Sequence, residues 1–206
     1  NFYDEGLTVY GAARVLAGDL PYRDFWTIYP PGQFWLLAVA FRLFATSLIV
    51  ARIVGAATNA AVTLCVYLLA RKMLPWRYAL FPWFLVLVWF AKLPMYASSL
   101  PSALLFGLAS CLSLLRGLDG NRKPYLFVAG FLTGIATLFR HDIGLYTFIS
   151  QSATAISYMY AHCAVGELTR TNRLVHSLYT YCIFALGLVG VLLPVAALLA
   201  AGADSR

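Results

Sequence analysis

What most constrains this chain is a series of apolar runs joined by short polar turns that hold most of the charge. Six runs stand out, at 48–70, 76–90, 101–115, 125–139, 143–160 and 177–201. Runs of this length and greasiness bury themselves in lipid, because hydrocarbon satisfies no backbone N–H or C=O except those already bonded within a helix. The second to fourth runs are short as cut, so their helices are expected to extend into the flanking turns. Composition agrees: 62% of residues are hydrophobic and 11% charged, whereas a soluble domain is about a quarter charged. The fold class expected is all-α integral membrane, a polytopic helix bundle.

The net charge of +7 does not indicate a nucleic-acid partner. The basic residues lie singly or in pairs within turns and build no continuous basic face. They orient the bundle instead. Turns after the first, third and fifth runs share one side and carry eight cations (Arg71, Lys72, Arg77, Arg116, Arg122, Lys123, Arg170, Arg173) against two acids (Asp119, Glu167). The other side carries seven cations, among them Arg14, Arg52 and Arg140, against six acids. The positive-inside rule assigns the first side to the cytoplasm. The opening stretch, Arg52 and the Arg140 cluster then share the extracytoplasmic face.

That opening stretch, 1–47, is the polar part of the chain and forms the first of two expected units; the bundle, 48–206, is the second. It holds Asp4, Glu5, Asp19 and Asp24. LTVYGAARVLA at 7–17 has helical spacing, with Gly18 as a C-cap and Pro21 beyond it. Tyr29-Pro30-Pro31-Gly32 is a rigid break that sets the direction in which the chain returns. Residues 33–45 are apolar but short, which suits an interfacial helix. The opening is not a signal peptide. A polytopic chain needs a preceding span or signal to export such a segment, so a span before Asn1 is expected, as is continuation beyond the closing GADSR.

Three sets of residues carry possible chemistry. The paired acids Asp4 and Glu5 precede the amphipathic helix, and a carboxylate held there suits a general base. Arg140-His141-Asp142 interrupts the apolar run, and three ionisable groups are expensive in lipid. They make either a hairpin turn, with Arg140 snorkelling and paired to Asp142, or an anion site for a lipid phosphate, which the planar guanidinium fork suits. Arg52 either snorkels or pairs with the opening acids. Asn59 reads as an interhelical hydrogen bond. Cys65, Cys111, Cys163 and Cys182 stand alone in or beside apolar runs, so they read as small buried residues. No His or Cys spacing suggests a metal, and no cofactor is expected.

The order DEG, YGAARVLAGDLPYRDF, YPPGQFWLLAVAFRLF and SLIVARIVGAA, followed by AGFLTGIATLFRHDIGLY, resembles the GT-C glycosyltransferases. The branch it is most similar to joins protein O-mannosyltransferases with lipid A aminoarabinose transferases (glycosyltransferase family 39-like), and the resemblance covers an N-terminal half. It implies a multi-pass enzyme of the inner or plasma membrane that takes a polyprenyl-phosphate-linked sugar and works at the extracytoplasmic face. It also implies that Asp4 is the base, with Glu5 beside it. Arg140, His141 and Arg52 would face donor phosphate, and Tyr29, Pro30 and Pro31 would position the loop. Aminoarabinose transferases carry a lysine before the paired prolines, where this chain has Tyr29, so that substrate is disfavoured.

The function expected is transfer of the sugar to an acceptor hydroxyl with inversion. The sugar and the acceptor are not specified by the residues. Two other classes compete. A transporter or lipid flippase would place polar groups near the midplane in repeated halves; here they gather at one face and no repeat is visible. A non-catalytic assembly protein of the same fold would differ only in lacking activity.

Overall fold

A computed structural model describes residues 2–92, 97–119, 122–164 and 170–203, and side chains throughout these except at 2–3, 159–164, 170–180 and 203. Eight helices make up the described chain: α1 (Phe2–Leu16), α2 (Gly32–Leu43), α3 (Leu48–Met73), α4 (Trp76–Ala91), α5 (Ser99–Asp119), α6 (Lys123–Phe139), α7 (His141–Ala164) and α8 (Arg170–Ala203). The described residues contain no strand, only an isolated bridge between Pro21 and Phe25. The protein is an all-α membrane protein, as expected. A polar loop is expected at 163–176, but α7 runs on to Ala164 and 170–176 belong to α8; residues 165–169 lie outside the described residues, as do the side chains of Cys163, His162 and His176 and part of the turn at 92–100.

Each of the six apolar runs is a helix, α3 through α8. Helices α3 and α5 and the Tyr181–Gly202 part of α8 are long and apolar enough to cross a membrane, while α2, α4 and α6 are apolar but shorter. The sixteen residues of α4 extend roughly 24 Å at 1.5 Å per residue, below the roughly 30 Å hydrocarbon core. Local chemistry sets the ends. Ser47 caps α3 by accepting a hydrogen bond from the Val50 amide at 3.2 Å, and Arg71 and Lys72 sit in its last turn, where cations complement the helix dipole. Helix α4 starts directly after Pro75, and α6 has a proline in its first turn.

Helix α6 is the hub. It packs between α5 and α8 and also touches α7 and α2. Small residues allow the approach. A Cβ on Gly130 would strike the Phe184 carbonyl of α8, so α6 and α8 meet backbone to backbone. Inside this layer Ser110, Thr133 and Gln151 from α5, α6 and α7 are almost fully buried and bonded to one another. Gln151 Nε2 donates to Ser110 Oγ at 2.6 Å, and Thr133 Oγ1 donates to Gln151 Oε1 at 3.2 Å. Polar groups in a dry core are tolerable only when paired in this way.

The two ends of the bundle sort as the charge pattern requires. Lys72 and Asp119 pair at 2.8 Å at one end. Helices α1 and α2, Arg52 and Arg140 meet at the other. Exposed Ile49, Ile53, Phe81, Phe84, Trp89, Leu186 and Leu193 line the outside of α3, α4 and α8, as a lipid-facing surface requires.

Gly130→Ala should push α6 off α8 and destabilise the bundle by about 1–3 kcal/mol. Thermal unfolding in detergent measures this; a midpoint equal to wild type would contradict backbone-to-backbone packing.

Candidate functional site

The opening stretch differs from its sequence reading in one respect. Asp4 and Glu5 do not precede the amphipathic helix; they are in its first turn, because α1 begins at Phe2. Acids are favoured there by the exposed N–H groups and the helix dipole. One helical step separates the pair by about 100°, and their fates diverge accordingly. Glu5 turns inward and is 7% exposed. It accepts a forked pair of bonds from Arg52, Nε to Oε1 at 2.8 Å and Nη2 to Oε2 at 3.1 Å. The bond from Arg52 holds the Glu5 carboxyl below its ordinary value, against burial, which acts in the opposite direction. Asp4 stays half-buried, and its carboxylate has no ion pair among the described residues.

Beyond α1 the chain is cross-tied. Gly18 ends the helix with φ +103°. Arg14 Nε bonds Asp19 at 2.6 Å, Arg14 Nη2 bonds the Asp24 carbonyl at 3.0 Å, and the guanidinium lies 5.1 Å from the Phe25 ring centre. Asp24 pairs with Arg23 at 2.8 Å. These two acids therefore hold the loop. Pro31 is the N-cap of α2, and a Cβ on Gly32 would come within 2.7 Å of the Leu138 carbonyl at the end of α6. The Tyr29-Pro30-Pro31-Gly32 turn is thus pressed against the end of α6, next to Arg140. Gln33, 2% exposed, locks the same corner: its Nε2 donates to the Ala97 carbonyl and its Oε1 accepts from Ser102, both at 2.8 Å.

Arg140 is the single residue between α6 and α7. Its amide donates to the Ala136 carbonyl at 2.9 Å and closes α6; its carbonyl accepts from the Gly144 amide at 3.0 Å and opens α7. The backbone here is extended, with φ −154° and ψ 116°. The guanidinium forks onto Asp142, Nε to Oδ1 at 3.0 Å and Nη2 to Oδ2 at 2.7 Å. That bond raises the Arg140 pKa above its already high ordinary value, so Arg140 is a permanent cation.

These pieces enclose a cavity of about 240 Å³. Asp4 and Thr8 reach it from α1, Tyr29 from the turn, Gln33 and Phe34 from α2, Asn59 from α3, Phe90 from α4, Ser98 to Pro101 from the start of α5, and Arg140 from the α6–α7 junction. Asp4 and Thr8 share a helix face, and Thr8 Oγ1 donates to the Asp4 carbonyl at 2.8 Å. Of the residues singled out in the sequence, the fold gathers Asp4, Tyr29 and Arg140 around this space. Glu5 and Arg52 are bonded to each other beside it, and exposed His141, half-buried Pro30 and buried Pro31 do not line it. Gln33, Asn59 and Ser99 line it without having been singled out as site residues. Only Asn59 carried a signal, as an amide inside an apolar run. Among the described residues no cluster of His, Cys, Asp or Glu has the arrangement to hold a metal ion.

With this geometry in view, comparison with known families is decisive. The family profile described as dolichyl-phosphate-mannose-protein mannosyltransferase matches residues 29–197. The chain belongs to that family. It is a membrane glycosyltransferase of the GT-C type. Comparisons with curated proteins and with solved structures gave no match. The matched region includes Tyr29, Asn59 and Arg140; Asp4 and Glu5 precede it.

Glu5 is charged at neutral pH, and its bond to Arg52 stabilises the fold there. That contribution is present above the ordinary carboxylate value of 4.5 and is lost as pH falls through the lowered value. Glu5→Gln should therefore lower the thermal midpoint at neutral pH, and the gap to wild type should close on acidification below 4.5. Equal midpoints at neutral pH would remove the pair from the stability of the α1–α3 contact.

Proposed function

We propose that this protein transfers a sugar from a polyprenyl-phosphate-linked donor to an acceptor hydroxyl, with inversion, at the extracytoplasmic face. The observation that carries this reading is the shared cavity of Asp4 and Arg140. One is a carboxylate outside the ion pairs of the described residues, and the other is a permanent cation. A glycosyl transfer from phosphate needs both charges. The family description names a dolichyl-phosphate-mannose donor, which supports a lipid-phosphate sugar here. The charge asymmetry of the turns supports an outward-facing cavity.

In the proposed step, Asp4 takes the proton of the acceptor hydroxyl as its oxygen attacks the anomeric carbon. The bond from that carbon to the phosphate oxygen breaks on the opposite side, which inverts the centre. The lipid phosphate leaves with the bonding pair, and Arg140 stabilises its growing charge through a charge-assisted hydrogen bond. Asp142 aims the guanidinium. Glu5 and Arg52 fix the rotation of α1, and so the direction of Asp4; the Tyr29-Pro30-Pro31 turn fixes the chain on the other flank. His141 is exposed beside Arg140 and is assigned no step. The membrane helices hold the lipid tail, so the reacting phosphate arrives oriented.

Asp4→Asn should cut turnover of a polyprenyl-phosphate sugar by about 10²–10⁴-fold while leaving thermal stability near wild type. Arg140→Ala should weaken binding of the donor lipid. Transfer at the wild-type rate by purified Asp4→Asn protein would overturn the base assignment; unchanged donor affinity in Arg140→Ala would remove Arg140 from the phosphate site.

A further inference from the structure

Of the polar residues that line the cavity and that the transfer step does not use, Asn59 has an unpaired buried atom. Among the described residues, Asn59 Oδ1 is the sole buried side-chain oxygen or nitrogen without a hydrogen-bond partner. Its polar neighbours on α3 are satisfied locally: Thr58 Oγ1 donates to the Val54 carbonyl and Thr63 Oγ1 to the Ala60 carbonyl, each at 2.8 Å. Asn59 is half-buried and lines the cavity. It lies two helical turns beyond Arg52 along α3, roughly 10 Å further in at 1.5 Å per residue. An unpaired buried amide oxygen is costly, and native proteins rarely keep one without a reason.

We propose that Asn59 is a specificity-determining residue that hydrogen-bonds one hydroxyl of the transferred sugar. This rests on the sugar-transfer reading of the same cavity. The chemistry of the walls divides the ligand. Arg140 is cationic and suits phosphate. Asn59 is neutral and carries both a donor and an acceptor, which is the complement of a hydroxyl, itself a donor and an acceptor. The amide torsion is two-fold and broad, so a half-turn exchanges Oδ1 and Nδ2 and presents either to the cavity. Phe34 and Phe90 give the same cavity apolar walls, where a single well-placed hydrogen bond discriminates strongly because its loss strands a polar atom.

The test uses the full chain in detergent or nanodiscs, with polyprenyl-phosphate mannose and its 2-, 3-, 4- and 6-deoxy analogues as donors. Wild type should lose kcat/KM by about 10-fold or more on one of these analogues. Asn59→Ala should lose a similar factor on the parent donor and treat parent and that analogue alike. Asn59→Leu, which removes the stranded oxygen and fills its space, should unfold at a midpoint no lower than wild type. A wild-type chain that transfers mannose with a deoxy-donor profile equal to that of Asn59→Ala overturns the inference and leaves the sugar-transfer reading standing. A fall in the Asn59→Leu midpoint with unchanged kcat/KM assigns Asn59 to packing and has the same consequence. A wild-type chain that transfers no sugar from any of these donors overturns both.

Discussion

A dry interior gives no hydrogen bonds, so each polar side chain within this bundle must be bonded by the protein itself. That constraint explains where the structure is rigid. Ser110, Thr133 and Gln151 bond one another across three helices, and Gln33 ties the start of α2 to the strand-free segment before α5. Arg140 and Asp142 pair at the junction of α6 and α7. Each cluster fixes a relative position of helices that apolar contact alone leaves free to slide, since lipid tails are as greasy as leucine. Among the described residues the one buried side-chain oxygen or nitrogen left unpaired, Asn59 Oδ1, belongs to a residue lining the cavity that Asp4 also lines. Buried polar groups left unsatisfied by the protein are the ones a ligand rewards.

The division of labour between Asp4 and Glu5 follows from helical geometry. Two adjacent carboxylates on a helix cannot face the same way. Glu5 faces α3 and is consumed by Arg52, which makes it a strut. Asp4 faces the cavity. The strut and the base are thus one construction: the ion pair that neutralises one acid sets the rotation that presents the other. Arg140 has the same dual character. It ends one helix and starts the next through its backbone, and its side chain is tied to Asp142 in the first turn of α7 while it lines the cavity.

Several of these features were legible in the chain. Arg140-His141-Asp142 was visible because three ionisable groups in an apolar run are too expensive to be incidental. The break at Pro30-Pro31-Gly32 was visible because proline removes donors and restricts its neighbours. The cap at Gly18 and the ends of α3 followed from local chemistry. Other features carried no comparable signal. Gln33 looks like any polar residue at a helix start, and its two long-range bonds come from segments more than sixty residues away. Asn59 was visible as an amide in an apolar run, but a partner on a neighbouring helix and an empty-handed oxygen at a cavity have the same sequence.

The sequence by itself determined the membrane class, the succession of helices and the gathering of the opening stretch with Arg140 at one end, because hydrophobicity and charge act locally and add along the chain. Only the tertiary structure decided which acid is spent on Arg52 and which remains at the cavity, that Arg140 rather than Arg52 lines it, and that Asn59 lies within it. Those outcomes depend on the rotation of each helix about its axis, and that rotation is set by contacts among α1, α2, α3, α5 and α6 rather than by any segment alone.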